Sequence, residues 1–306
     1  MDSDSSVRGG RSRDRRALSG RRSGRLESAG RRKRRGRRAA KQSGAKLVVD
    51  LCDDHFDTPD LAAAYHELCD TADLVTASTA SMAATIERRT GRNAVVIDDP
   101  YEGPLGDPLF YPGLLTPELR LVWFGHPVNF DTVAAMLRGL RELATSVPLE
   151  LHLVTDLEAA RRSPLFEELQ SADGRGFKLR LTAWSPRATW QALAQSDIVL
   201  LPSLPSDKKK VKSPNRAVEG VRAGRLVVAY PLPSYQELDQ GLCLNEDPVA
   251  GIRWALKHPQ DALARIREGQ LIIGRRFAPR TIGGRWEAVL KSAVECESRC
   301  ESVAAR

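Results

Sequence analysis

The chain has 306 residues, 42% of them hydrophobic and 28% charged, which is enough for two soluble domains. Its net charge of +8 is uneven: residues 1–46 hold 17 of the 47 Lys and Arg and only four acids, whereas the other 260 residues hold 30 basic and 35 acidic groups, a net of −5. A mildly acidic body argues against a dedicated nucleic-acid-binding domain, because phosphates need a basic surface on the folded unit.

The first 45 residues are mainly Arg, Ser and Gly, and such a tail buries too little apolar surface to fold, so we expect it to be disordered. No apolar secretory stretch follows it, and no run of about 18 apolar residues predicts a membrane span. Five scattered cysteines fit reduced thiols. We therefore expect a cytoplasmic protein whose tail is a candidate for weak contact with nucleic acid or with anionic lipid at the inner face of the membrane.

Strands and helices alternate from residue 46 onwards. KLVVDLCDD, DLVTAS and AVVID predict strands, and the helix after the first places Leu61, Tyr65, Leu68 and Ala72 on one face. Alternation of this kind predicts a parallel sheet. Residues 46–110 supply only about three strands, fewer than the usual five or six, so we expect an incomplete N-terminal α/β domain.

A Pro- and Gly-rich segment at residues 101–119 predicts a domain boundary. Beyond it, residues 120–260 predict a doubly wound, Rossmann-like C-terminal domain. The predicted strands are LRLVWFG, LELHLVTD, FKLRLTAW, DIVLLPS, RLVVAY and LCL, with helices near 130–145, 157–170, 187–196, 214–224 and 248–257. Residues 261–299 continue as helices, interrupted near Pro279.

The loop after DIVLLPS is the most informative junction, because ligands of open parallel sheets bind where such loops enter helices. Ser213 is a suitable N-cap and Pro214 a suitable first helical residue. Lys212, Asn215 and Arg216 flank this predicted helix start, whose free N–H groups and dipole favour a phosphate. We interpret the site as one for a diphosphate.

Two features near this helix have a structural as well as a functional interpretation. For each of the lysines at 208–210, a solvated position in the loop is a better interpretation than a role in binding phosphate. Glu219 can accept two hydrogen bonds from a ribose diol, or it can pair with Arg216 or Arg222 on the helix surface.

Several of these segments together resemble one family. Glu219, followed five residues later by Gly224 and then by VVA and a Pro-rich turn to Glu237, resembles the donor-binding segment of GT-B glycosyltransferases of the group 1 type. DIVLLPS, RLTAWSPRATWQALAQSD and LVWFGHPVNFDTVAAML resemble the neighbouring segments of that family, including its opening strand and glycine loop. The resemblance extends over residues 46–295.

This resemblance implies a GT-B-like α/β fold and transfer of a sugar from a nucleotide-diphosphate sugar, UDP- or GDP-linked, to the hydroxyl of a glycan, lipid or small-molecule acceptor. It implies no metal and no other cofactor. By position, Glu219 would hold the ribose, residues 212–216 the diphosphate, and Gly125 would let the backbone approach the phosphates. Trp184 and Ser185 would border the nucleobase through backbone groups, packing being the alternative for Trp184. No catalytic base is identified.

The chain departs from the family pattern in two places. The first of two glutamates usually spaced eight apart is replaced by Val211, and the basic residues after the opening glycine are replaced by residues 126–129, HPVN. Lys212 and Arg216 are therefore the expected phosphate-binding cations. His126 is predicted to contact donor or acceptor, or to be structural.

An acidic cluster ends the first predicted strand; it consists of Asp50, Asp53, Asp54 and His55. Such residues can bind a metal, but adjacent carboxylates on extended backbone point to opposite faces. We prefer cleft lining on the acceptor side, or helix capping by Asp57 and Thr58.

Two rival functions remain. The first is a degenerate, non-catalytic GT-B-like protein that binds nucleotide or a partner, and the second is another α/β protein, such as a sugar-phosphate enzyme, with the same phosphate site. The Arg-rich start is either a genuine extension or a misassigned reading of a longer transferase, and a start within a domain favours the latter.

Overall fold

The computed structural model describes residues 43–112, 117–204 and 206–304, with side chains described to residue 294. The predicted Arg-rich tail thus lies almost wholly outside the described residues. None of the described helices is long and apolar enough to cross a bilayer.

The described chain folds into two parallel sheets, here called the small and the large sheet. The small sheet consists of β1 (Val48–Leu51), β2 (Leu74–Ala77) and β3 (Val95–Val96), in that order. Helices α1 (Ala62–Thr71) and α2 (Ala80–Thr90) connect its strands. Both crossovers are helical, as the alternating sequence pattern predicts for parallel neighbours.

The large sheet has six parallel strands in the order β6-β5-β4-β7-β8-β9, which is the Rossmann order. They are β4 (Leu119–Phe124), β5 (Leu149–Thr155), β6 (Phe177–Ala183), β7 (Ile198–Leu201), β8 (Leu226–Ala229) and β9 (Cys243–Leu244). β7 and β8 are buried throughout, as continuous apolar runs predict for a sheet covered on both faces. The strand order reverses between β4 and β7, where such sheets bind ligands. The predicted α/β, Rossmann-like fold class is confirmed.

The described chain from residue 117 onwards also contains ten helices and two 3₁₀ turns, at Pro127–Asn129 and Asp239–Gly241. The helices are α3 (Phe130–Ala144), α4 (Leu157–Arg161), α5 (Phe166–Gln170), α6 (Pro186–Gln195), α7 (Asp207–Lys210), α8 (Asn215–Arg222), α9 (Pro233–Gln236), α10 (Pro248–Lys257), α11 (Pro259–Arg276) and α12 (Pro279–Ala304). The helix predicted over 157–170 is in fact two short helices, because Pro164 lies in its middle and a proline disrupts helical hydrogen bonding.

Helix α1 starts later than the capping interpretation requires. Its N-cap position is Leu61, with no side-chain cap, so the predicted capping by Asp57 and Thr58 side chains is wrong. Asp57 instead pairs with Arg89, and the Thr58 carbonyl accepts hydrogen bonds from the N–H groups of Leu61 and Ala62.

The two sheets are joined by a buried ionic contact that we call the Asp98 cluster. Asp98 follows β3 and is only 3% exposed. Arg276 of α11 donates two hydrogen bonds to its carboxylate, at 2.7 and 3.0 Å, and Arg285 of α12 donates a third at 2.7 Å. Glu237 also pairs with Arg276. The last two helices thereby attach the small sheet to the large one.

Candidate functional site

The candidate site is a cleft of about 270 Å³ beside the carboxyl end of β4, close to the switch point of the large sheet. Its lining includes Glu102, Phe124, Trp184, Trp190, Asn215 and Glu219. The cleft therefore combines aromatic rings, two carboxylates and the start of α8. Three of the predicted donor-site residues, at positions 184, 215 and 219, line it directly.

Gly125 stands directly after β4, between the cleft and the cations. A Cβ at this position would lie 3.1 Å from the Trp123 ring and 3.4 Å from Nη1 of Arg216. The same Arg216 nitrogen donates to the carbonyl of Phe124 at 3.4 Å. The opening loop and the Arg216 side chain thus meet, and a side chain at position 125 would crowd this approach. The predicted approach of the Gly125 backbone to donor phosphates stays a prediction.

The start of α8 differs from the prediction by one residue. Pro214, not Ser213, occupies the N-cap position, and its carbonyl accepts from Val218 N–H at 2.9 Å. No side chain accepts a hydrogen bond from the first turn. Ser213 is therefore not the cap because the helix starts one residue later, and the uncapped N–H groups give the start of α8 the character of an anion site.

Three cations gather beside this helix start, and we call Lys209, Lys212 and Arg216 the cation cluster. Lys209 is half-buried; burial lowers the pKa of its amine, and the nearby Arg216 and Lys212 lower that pKa further. Its amine donates to the Asn129 side chain. The solvated interpretation is therefore wrong for Lys209, whereas Lys208 is exposed, as expected. Mutual destabilisation of these cations would be relieved by an anion.

Glu219 does not pair with Arg216 or Arg222, so the helix-surface ion-pair interpretation is wrong. Its two carboxylate oxygens accept hydrogen bonds from the backbone N–H groups of Glu102 and Gly103, at 2.7 and 2.9 Å. A carboxylate has about four acceptor sites, so each oxygen keeps one for a further donor. Its predicted role as a ribose ligand stays a prediction.

The segment that Glu219 holds is residues 99–103, which we call the linker. Asn215 donates to Asp99 at 2.9 Å. Arg222 donates to the Gly103 carbonyl at 2.7 Å, and its guanidinium lies 3.5 Å from the centroid of the ring next to it, at position 101. Residues 215, 219 and 222 lie on one side of α8, so the cleft-facing side of this helix also binds the linker.

The region predicted to border a nucleobase, at Trp184 and Ser185, has an exposed indole ring. The Trp184 side chain is 58% exposed, while its N–H donates to the Thr155 carbonyl at 2.8 Å. Ser185 caps α6, accepting from Ala188 N–H at 3.1 Å. The Trp184 N–H and the Ser185 hydroxyl are thus already engaged, and the indole ring, rather than that N–H, is what residue 184 offers to a base.

His126 has a local role in the opening loop. Its Nδ1 accepts from Val128 N–H at 3.2 Å and so caps the 3₁₀ turn that follows β4. The ring lines a separate concavity with Asp131 and Arg162, outside the cleft. Its predicted contact with donor or acceptor stays a prediction.

The acidic cluster after β1 is divided among separate partners. Asp53 pairs with Lys212, Asp50 accepts from the Thr76 hydroxyl at 2.7 Å, and Asp54 accepts from a neighbouring backbone N–H at 3.1 Å. Burial, and next the Asp50 charge, raise the pKa of the Cys52 thiol to about 11. Within the described ranges, no three His, Cys, Asp or Glu side chains are grouped to hold a metal.

Sequence reasoning missed the linker contacts and the place of Lys209. The sequence predicts a domain boundary at residues 101–119, yet residues 99–103 contact the cleft-facing side of α8. That the backbone N–H groups of Glu102 and Gly103 would meet Glu219, more than 110 residues later, has no sequence signal.

No protein-family model and no curated protein sequence matches the chain. Solved structures do, and they are GT-B glycosyltransferases, so the chain has the GT-B fold. Anabaena HepE in complex with UDP and glucose has a TM-score of 0.66 and 18% identity, with 84% of this chain and 74% of HepE covered.

Two further structures are similar over most of this chain. The α,α-trehalose-phosphate synthase (UDP-forming) from Burkholderia vietnamiensis gives a TM-score of 0.62 at 13% identity, covering 86% of this chain and 69% of the synthase. A mutant of S. aureus TarM in complex with fondaparinux, alpha-GlcNAc-glycerol and UDP gives 0.60 at 12% identity, covering 80% and 50%. At such identities the likeness establishes the fold.

Proposed function

We propose that this protein transfers a sugar from a nucleotide-diphosphate sugar, with UDP as the preferred nucleotide, to an acceptor hydroxyl without a metal ion. The observation that carries the proposal is the cation cluster beside the uncapped start of α8. Burial and like charge lower the pKa of Lys209, which makes an anion the natural occupant. The choice of UDP rests on the similar proteins solved with it.

The chemistry required is stabilisation of the departing diphosphate. As the bond between the sugar and the phosphate oxygen breaks, negative charge grows on the diphosphate. Lys212, Arg216 and the free N–H groups of α8 can stabilise that charge in place of a metal. Gly125 keeps the opposite wall of backbone close to the same position.

The remaining parts of the donor fit the rest of the cleft. The exposed Trp184 ring supplies a flat apolar surface for a base. The free acceptor positions of Glu219, next to the linker, suit a ribose diol. The acceptor then enters from the side of the small sheet, and its class, whether glycan, lipid or small molecule, is open.

One observation favours a second candidate, a GT-B-like protein that binds nucleotide without turning it over. Val211 stands where the related pattern has a glutamate, and it is only 3% exposed, packed into the core of the small sheet. The Val211 carbonyl accepts from the Thr79 hydroxyl at 3.0 Å. A carboxylate to contact the sugar is therefore absent from this position.

Calorimetric titration with UDP and GDP, together with an assay of UDP-glucose hydrolysis, tests both candidates. We expect Lys212→Ala and Arg216→Ala each to weaken UDP binding roughly ten- to hundredfold, since a charged hydrogen bond contributes roughly 1.5–3 kcal/mol. Lys291→Ala, which removes an exposed lysine from α12, is the matched control and should bind as wild type does. Binding without hydrolysis supports the second candidate, and no binding of either nucleotide refutes both.

A further inference from the structure

The cation cluster already has one carboxylate partner, which comes from the other sheet. Asp53, just after β1, accepts a hydrogen bond from the Lys212 amine. By contrast, Lys209 and Arg216 donate to neutral oxygens, those of the Asn129 side chain and the Phe124 backbone. The Asp53 carboxylate therefore occupies the position beside Lys212 that an anionic ligand would take.

The geometry around Lys212 allows its side chain, but not its backbone, to change partner. The Ser234 hydroxyl donates to the Lys212 carbonyl at 2.7 Å, and Thr79 holds the carbonyl of the preceding residue. The amine and the Asp53 carboxylate are both well exposed, at 44% and 42%. A pair so exposed to water is weak and exchanges readily, and a diphosphate carries more charge than one carboxylate.

We propose that the donor diphosphate displaces Asp53 from Lys212, and that the released carboxylate then accepts a hydrogen bond from the acceptor hydroxyl. This inference rests on the proposed function and adds an acceptor-positioning residue to it. Asp53 follows β1 of the small sheet and directly contacts the cation cluster, so its release places a hydrogen-bond acceptor on the acceptor side. The donor consequently binds first and the acceptor second.

If the diphosphate and Asp53 compete for Lys212, removing the Asp53 charge should change UDP binding in a way that a purely structural ion pair would not. Asp53→Asn removes the competing charge, so UDP should bind roughly two- to fivefold more tightly, while uridine, which has no phosphate, should bind as before. In the Lys212→Ala background, Asp53→Asn should leave UDP affinity unchanged. Asp53→Glu keeps the charge and should stay close to wild type. Asp57→Asn, which loses an exposed ion pair in the same loop, is the control.

The positioning role of Asp53 is tested by measuring kcat for UDP-glucose hydrolysis, in which water is the acceptor. Asp53→Asn should lower kcat about tenfold even though it tightens UDP binding, and this opposite movement is the signature. Unchanged or weaker UDP binding by Asp53→Asn overturns the competition, as do additive effects in the double variant. Unchanged kcat overturns the positioning role. If wild type binds no UDP, the proposed function fails first and the inference fails with it.

Discussion

Two ionic contacts join the small sheet to the large one, and they differ in nearly every physical respect. Asp98 is 3% exposed and receives three hydrogen bonds from two arginines. Asp53 is 42% exposed and meets one lysine amine. Both carboxylates lie two residues beyond the ends of strands of the same sheet, β3 and β1, so the difference comes from what packs over them.

The comparison indicates that a buried ionic contact holds the two sheets together, while an exposed one can change its partner. A buried carboxylate with two arginines has given up its water and cannot release its partners without a large cost. A half-exposed pair keeps water at hand, so the loss of one partner is cheap. The Asp98 cluster therefore fixes the two sheets together, whereas the Lys212–Asp53 pair is free to respond to a ligand.

The largest expected effect comes from Asp98→Asn. The substitution leaves Arg276 and Arg285 without a carboxylate between them, and removing one partner of a buried pair costs about 3–5 kcal/mol. We expect the lower end, about 3 kcal/mol, because both arginines are partly exposed and Arg276 keeps Glu237. Urea unfolding measures it. A loss below about 1 kcal/mol would place Asp98 in the same class as Asp53.

Gly224→Ala tests how the chain just beyond the linker, at Gly106 and Asp107, packs against the end of α8. Gly224 ends α8 with a φ of +76°, and a Cβ there would lie 2.0 Å from the carbonyl oxygen of Asp107. The strain should cost about 2 kcal/mol, seen as a lower melting temperature. Gly274→Ala, in α11 with open space around it, is the matched control and should stabilise the protein by roughly 0.5–1 kcal/mol. Equal effects of the two alanines would contradict this account.

Glu219→Gln is expected to have a smaller effect. A glutamine amide offers one acceptor oxygen, so one of the two linker N–H groups, at 102 or 103, loses its partner. An unsatisfied donor costs about 1–2 kcal/mol. Equilibrium unfolding gives the value, with the exposed Glu158→Gln as the neutral comparison. If both variants unfold alike, Glu219 does not hold the linker.

Much of the fold could be predicted, because short apolar runs such as IVLL and LVVA predict buried strands. The structure buries every residue of these two strands. The start of α8 was placed within one residue, since Pro restricts its own backbone wherever it occurs. The contacts across the cleft could not be predicted. Asp53 and Asp98 are ordinary acids after strands in the sequence, and only the packing of α11 and α12 buries one and leaves the other in water.

The smallest expected effect is on the stability of Asp53→Asn, and it completes the contrast with Asp98. Without ligand, the substitution should change the free energy of unfolding by less than about 1 kcal/mol, because an exposed ion pair is screened and loses entropy on forming. Raising the salt from 0.05 to 0.5 M should erase even that difference, since the screening length falls to a few ångströms. The deficit of Asp98→Asn should persist in the same salt series, because buried charges are screened much less. A salt-resistant loss of 2 kcal/mol or more in Asp53→Asn would mean that the Lys212–Asp53 pair attaches the sheets as Asp98 does, and that it is not available to a ligand.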